Sequence, residues 1–220
     1  MTAWRGPRLR DALRLYVITD RGLARGRPES EIAREAIAGG ATAIQLRWKT
    51  GPLSEALRVG RELRELCRQS NVLFVVNDRV DLALVLEADG VHLGVNDVPV
   101  ADARQLVGQD MVIGFSPETL EQAIDAEAAG ADYLGVGPVF PTRTKLDAGP
   151  AVGLGHLERI ARAVRIPVVG IGGITVDNAG AVIRAGAVGV AVISAVVGAD
   201  DVRAAAARLR QVVDEAAGLR

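Results

Sequence analysis

Thr142, Thr144 and Lys145 close the stretch Gly135-Val-Gly-Pro-Val-Phe-Pro-Thr-Arg-Thr-Lys145. Two hydroxyls and an ammonium just past an apolar run form a grip suited to an oxyanion such as phosphate. Gln45, Arg47 and Lys49 are spaced by two, which predicts one face of an extended strand. Three long polar side chains turned inward would be costly to bury without a partner. Asn77-Asp78 and Asp97 add an amide and two carboxylates. Each aspartate alone reads equally well as a turn or cap residue. Paired at strand ends beside Arg47, Lys49 and Lys145, they suit a hard cation: Mg2+ commonly takes one or two carboxylates and fills its shell with water and phosphate oxygens.

The elements that must position these groups are legible as eight short apolar runs. They begin at Leu15, Ala43, Val72, Gly90, Met111, Tyr133, Pro167 and Gly189. Most are continuous rather than alternating and rich in Val and Ile, as expected of strands buried on both faces. Segments with helical spacing lie between them, including 30–38, 53–70 and a closing alanine-rich segment, 200–217. Ser116-Pro-Glu-Thr-Leu reads as a helix start with Ser116 as N-cap, and Thr175 or Asp177 suits a later cap. Gly40-Ala41, Gly130-Ala131 and Gly186-Ala187 each mark a helix end before a strand. Eight strand-helix repeats without a shift in composition predict a single-domain α/β chain, a (β/α)8 TIM barrel over 1–220, with 1–12 as an N-terminal extension or short helix. An open doubly wound sheet is the rival, but no point of strand reversal is visible. Active groups of such barrels sit at the C-terminal ends of the strands. Gly172-Gly173 follows the seventh strand and Ile193-Ser194 ends the eighth, a frequent phosphate position in this fold.

Other chemistries have little material. Cys67 is the only cysteine, within a helical pattern, so a packed side chain and a reducing, cytoplasmic setting are expected. Only His92 and His156 could serve Ser-His or Cys-His chemistry. Lys and Arg total 26 against 27 Asp and Glu, giving no reason to expect nucleic acid. The first residues lack the apolar core of a signal peptide, and 185–199 is too short and glycine-interrupted to span a membrane. A soluble protein acting on small molecules is expected, with no membrane partner; nothing in the sequence argues against a homo-oligomer. Residues 20–28, charged and carrying Gly22 and Gly26, form a candidate lid.

Tyr16-Val-Ile-Thr-Asp20, Gln45-Leu-Arg-Trp-Lys49, Val76-Asn-Asp78, Ala88-Asp-Gly-Val-His-Leu-Gly94, Asp97, Gly137 to Lys145, Gly170-Ile-Gly-Gly-Ile174 and Ile193-Ser194 occur in an order and spacing that resembles the thiamine phosphate synthase family. The resemblance covers nearly the whole chain. It implies a Mg2+-dependent transferase that joins a hydroxymethylpyrimidine diphosphate to a thiazole phosphate, carboxylated or not, and releases pyrophosphate. By position it implies that Gln45, Arg47, Lys49, Asn77, Ser116 and Lys145 contact the pyrimidine diphosphate. Asp78 and Asp97 would hold Mg2+, and Thr142, Thr144, Gly173, Ile193 and Ser194 would contact the thiazole phosphate. Arg47, Lys49, Ser116 and Lys145 would carry catalysis. Three positions depart from the family's usual pattern: Trp48 where an acid is common, Val95 for glutamine, and Glu118 for histidine. A related thiazole tautomerase, with a histidine where Pro138 stands and without the paired aspartates, is the alternative enzyme. A binding-only paralogue is the alternative outside catalysis.

Overall fold

The computed structural model describes residues 4–142, 144 and 149–219. Eight parallel strands close a barrel in chain order. They are β1 (Leu15–Ile18), β2 (Ala43–Leu46), β3 (Leu73–Asn77), β4 (Gly90–Gly94), β5 (Val112–Ser116), β6 (Tyr133–Val136), β7 (Val168–Ile171) and β8 (Gly189–Val192). The seam is β8 on β1, with Tyr16 beside Ala191. The outer helices are α2 (Glu29–Ala38), α3 (Leu53–Ser70), α4 (Val80–Val85), α5 (Val100–Val107), α6 (Leu120–Ala128), α7 (Gly153–Ala163), α8 (Val176–Arg184), α9 (Ser194–Val197) and α10 (Val202–Ala216). The (β/α)8 expectation holds.

The strands are apolar on both faces because each face meets a different core. Leu15, Val17, Ile44, Phe74, Val91, Ile113, Leu134 and Val190 face the helices and share one cluster with Ile32, Leu63, Leu157 and Leu209. The alternate residues Tyr16, Ile18, Ala43, Leu73, Val75, Val112, Tyr133, Val169 and Ala191 fill the barrel interior. The short helix α1 (Pro7–Ala12) starts with proline at its first turn and closes the N-terminal end of the barrel. Trp4, Leu9, Ala12 and Leu13 join the interior cluster there. Burying a side chain of leucine size contributes about 2 kcal/mol, so α1 acts as a stabilising plug.

Aspartates between helices and strands satisfy backbone donors at the same end. Asp89 Oδ2 accepts from Phe74 N at 3.0 Å, and Asp132 Oδ2 accepts from Ile113 N at 2.8 Å. Each aspartate thus covers the amide of the second residue of the preceding strand, a donor that would otherwise cost about 1–3 kcal/mol if left buried and unpaired. Arg104 Nη2 reaches Asp132 Oδ2 at 2.6 Å and Gly130 O at 2.8 Å.

Three local expectations change. β5 runs through Ser116, and α6 is capped by Thr119 in a reciprocal box with Gln122, so Ser116 is not the N-cap. The Ser-Pro pair resembles a cap only in isolation; the strand runs through Ser116, the chain bends at 118–119, and the helix begins at Leu120. Thr175, paired with Asn178, caps α8 rather than Asp177. The closing helix starts at Val202 with Asp201 as its cap, after the separate short turn of α9. Gly40, Gly130 and Gly186 take positive φ just past helix ends, as expected of the Gly-Ala pairs.

Candidate active site

A cavity of about 370 Å3 opens at the C-terminal ends of the strands. On one side it is lined by Lys49, Asn77, Asp78 and Asp97, and on the other by Thr142, Thr144, Gly173, Ile193 and Ser194. Ser116 and His92 line it as well. Most of the residues expected from sequence therefore converge on one space. Lys145 lies outside the described residues.

The carboxylate side is built by two turns. Asp78 follows β3 directly with φ 63° and donates its amide to His92 O at 2.8 Å, which ties the end of β3 to β4. Aspartate tolerates this left-handed conformation better than most residues. Asp97 folds back on the end of β4: its Oδ2 accepts from Gly94 N at 2.7 Å, and its own amide donates to Gly94 O at 3.1 Å. Burial raises the Asp97 carboxyl above its ordinary pKa, and the neighbouring Asp78 charge adds to this. Lys49 Nζ lies 2.6 Å from Asp78 Oδ2. Two carboxylates held close enough to repel each other, with one ammonium as partial relief, are of the donor type that a hard divalent cation takes, though among the described residues no third acidic or histidine side chain joins them.

Gln45 and Arg47 do not line the cavity. β2 ends at Leu46, so the alternation that would align Gln45, Arg47 and Lys49 applies only to the first. Gln45 is buried in the barrel, and its Nε2 donates to Tyr16 Oη at 2.7 Å. Arg47 Nη1 instead pairs with Asp20 Oδ2 at 2.5 Å. Trp48 packs beneath Arg21, whose guanidinium carbon sits 4.5 Å from the ring centroid. None of residues 20–28 lines the cavity. Arg27 Nη2 instead donates to Val197 O at 2.8 Å.

Opposite the carboxylates, Thr144 Oγ1 donates to Ser194 Oγ at 3.1 Å, which joins the loop after β6 to the start of α9. Thr144 N donates to Thr142 Oγ1 at 3.2 Å. Gly172 and Gly173 both take positive φ, and a side chain on either would run into Pro138, Phe140 or Pro141. The backbone after β7 can thus approach a ligand where no other residue would fit.

Sequence reading did not assign the floor of the cavity. His92 Nε2 is 2.8 Å from Ser116 Oγ, and His92 Nδ1 is 2.9 Å from Tyr133 Oη. Tyr133 Oη is 3.0 Å from Tyr16 Oη. Burial raises both phenols well above their ordinary pKa, so they stay protonated. Gly114 makes this possible: a side chain there would collide with Tyr133 and the His92 ring. The available signal was His92 at an inward position of β4 between Gly90 and Gly94, a polar ring flanked by empty places on the same face. By contrast, Cys67 is buried on α3 with its thiol pushed up to about 12 by burial, which rules out a ready nucleophile. His156 lies on α7, away from the cavity lining.

Of the three departures from the family's pattern, Val95 and Glu118 line the cavity, and both are exposed. No helix among the described residues is long and apolar enough to cross a membrane.

The family model for thiamine monophosphate synthase matches residues 15–196. A thiamine-phosphate synthase of Moorella thermoacetica is 55% identical over 204 residues, which covers 93% of this chain and 97% of that one. That of Pyrococcus furiosus is 52% identical over 210 residues, covering 96% and 99%. The solved thiamine phosphate pyrophosphorylase from Pyrococcus furiosus superposes with a TM-score of 0.88 at 51% identity, over 94% of this chain and 98% of that one. With the matched model spanning all eight strands and likeness above half extending nearly end to end, the chain belongs to the thiamine monophosphate synthase family.

Proposed function

We propose that this protein joins 4-amino-2-methyl-5-hydroxymethylpyrimidine diphosphate to a thiazole phosphate, giving thiamine monophosphate and pyrophosphate. One observation carries the reading: a single cavity offers the Asp78–Asp97 pair with Lys49 on one side, and the Thr142, Thr144, Gly173 and Ser194 group on the other. Two anionic substrates can meet there, one through a cation and one through hydroxyls and backbone.

Asp78 and Asp97 would hold Mg2+, whose bound charge offsets that of the departing diphosphate. In the reaction, the pyrimidine methylene C–O bond breaks and pyrophosphate leaves with the electron pair. The electron-rich aminopyrimidine carries the positive charge until the thiazole nitrogen lone pair forms the new C–N bond. No protein nucleophile is needed, which fits a buried thiol at Cys67. Lys49 and Lys145 would stabilise the charge on the leaving oxygens, and Ser116 would donate to them. Arg47 would first have to exchange its Asp20 partner. Asn77, inward at the end of β3, would orient the pyrimidine diphosphate. Gln45 would act from beneath the cavity. Ile193, with the hydroxyl cluster, would flank the thiazole phosphate.

Pro138 lines the cavity at the place where the tautomerase reading calls for histidine, and Asp78 and Asp97 are both present, so the isomerase reading is not favoured. The deciding experiment mixes purified protein with both substrates, with and without Mg2+. Formation of thiamine monophosphate that stops on chelation is expected. No product above background would overturn the synthase reading, and turnover indifferent to chelation would remove the metal from it.

A further inference from the structure

Four side chains from four strands lead to Ser116 through the barrel interior: Gln45 on β2, Tyr16 on β1, Tyr133 on β6 and His92 on β4. Successive polar atoms lie 2.7, 3.0, 2.9 and 2.8 Å apart. Tyr16 and Tyr133 are 1% and 0% exposed, so their hydroxyls have no access to bulk water. We infer that Gln45, Tyr16, Tyr133 and His92 are positioning residues that hold the imidazole as its Nε2–H tautomer and thereby commit the Ser116 hydroxyl to donating into the cavity.

Counting protons gives the direction. The Gln45 amide nitrogen can only donate, so Tyr16 Oη accepts from it. Among the described residues, Tyr133 is the only other partner of Tyr16 Oη, so the single Tyr16 proton goes to Tyr133 Oη. Tyr133 has then accepted, and its own proton is left for His92 Nδ1. A neutral ring that accepts at Nδ1 carries its hydrogen on Nε2 and donates to Ser116 Oγ. Ser116, which lines the cavity, keeps its proton for a ligand. The opposite polarity would leave the Tyr16 proton buried without an acceptor, an arrangement native interiors avoid. It would also spend the Ser116 proton on His92 and present an oxygen lone pair to the cavity. In a site that must hold a leaving diphosphate, a donor stabilises and a lone pair repels. The functional consequence rests on the synthase reading; the tautomer does not.

Nitrogen-15 NMR of the full chain with labelled histidine tests the tautomer directly. With only His92 and His156 present, a His156→Gln variant assigns the two rings. The expected result is hydrogen on Nε2 and a bare Nδ1 in the ligand-free protein. An Nδ1–H ring, or equal averaging of the two forms, would overturn the inference. Tyr133→Phe should shift His92 toward the mixed state and lower kcat about tenfold, with each KM within about twofold, by analogy with loss of one oriented donor. In a Ser116→Ala background the same change should cost less than about twofold, because it acts through the missing hydroxyl. An equal loss in both backgrounds would show that Tyr133 acts on packing alone and would sink the positioning role. Tyr16→Phe, one link further away, should show the same dependence on Ser116. Failure to form thiamine monophosphate would strike the proposed activity and leave the NMR result to be judged by itself.

Discussion

At the scale of single residues, the cavity separates groups by what surrounds them. Asp97 is pinned by Gly94 N and raised by burial and by Asp78, so its charge is held at a cost that a divalent cation would relieve. Asp97→Ala should lower Mg2+ affinity at least about tenfold, comparable to loss of a supporting contact at a metal site, while the circular dichroism spectrum stays unchanged. Unaltered Mg2+ titration would exclude Asp97 as a ligand. Glu118 lines the cavity yet is exposed, so water and salt screen its repulsion of an anionic substrate. Glu118→Gln should lower KM for the pyrimidine diphosphate about twofold at low ionic strength and change it less at high salt, as a screened exposed charge would. A larger effect at high salt would contradict that assignment. Lys145→Ala is expected to slow kcat more than it weakens thiazole phosphate binding, because its ammonium is assigned to the leaving group; the reverse would move Lys145 to the other substrate.

Among the elements, α7 carries a group whose titration reports on folding and not on catalysis. Burial lowers the His156 pKa and Arg159 adds to the shift, while His156 Nε2 is buried without a hydrogen-bond partner among the described residues. The unfolded chain therefore takes up this proton first as pH falls, so stability is lost as pH drops through the ordinary imidazole range near about 6.5. His156→Gln should flatten the loss of thermal midpoint between about pH 7.5 and pH 5.5. An unchanged pH profile would mean that His156 is ionised equally in both states. The α6 cap offers a plainer measurement: Thr119→Ala removes the acceptor for Gln122 N and should cost about 1 kcal/mol in denaturant unfolding. Ser116→Ala, no longer read as a cap, should cost activity instead.

Across the whole molecule, the two ends of the barrel divide the work. The C-terminal end is open, polar and lined by Asp78, Asp97, Ser116 and the threonine cluster. The N-terminal end is closed by Trp4, Leu9 and Leu13, with Arg104 satisfying Gly130 O, Met111 O and Asp132. Arg104→Met should destabilise the protein by about 1–2 kcal/mol, since it removes the donor for Gly130 O and Met111 O while Asp132 keeps Arg5 and Ile113 N as partners. Its kcat/KM well below the melting temperature should match the parent. A loss of turnover without a loss of stability would break this division.

Continuous apolar runs and their spacing determined the barrel, because a strand with a core on each face has no polar side to alternate with. Leu15–Ile18 and Val168–Ile171 were legible for that reason. The placement of Asp78, Asp97, Thr142, Thr144 and Ser194 around one cavity was legible too, since polar residues directly after such runs have few places to go but the strand ends. What only the closed sheet decided were contacts between residues distant in sequence. The spacing of Gln45, Arg47 and Lys49 predicts one strand face, but the chain leaves the strand at Leu46 and gives Arg47 to Asp20. Ser116 is legible as the end of the fifth strand as well as a cap candidate, but only the closed sheet brings it to His92. The run from Gln45 through Tyr16, Tyr133 and His92 to Ser116 draws on five strands, and only barrel closure brings β1 and β6 within a hydrogen bond across the interior. Local pattern fixes which face a side chain takes; which distant partner shares that face is set by register and closure, and here those decide the direction in which a proton points.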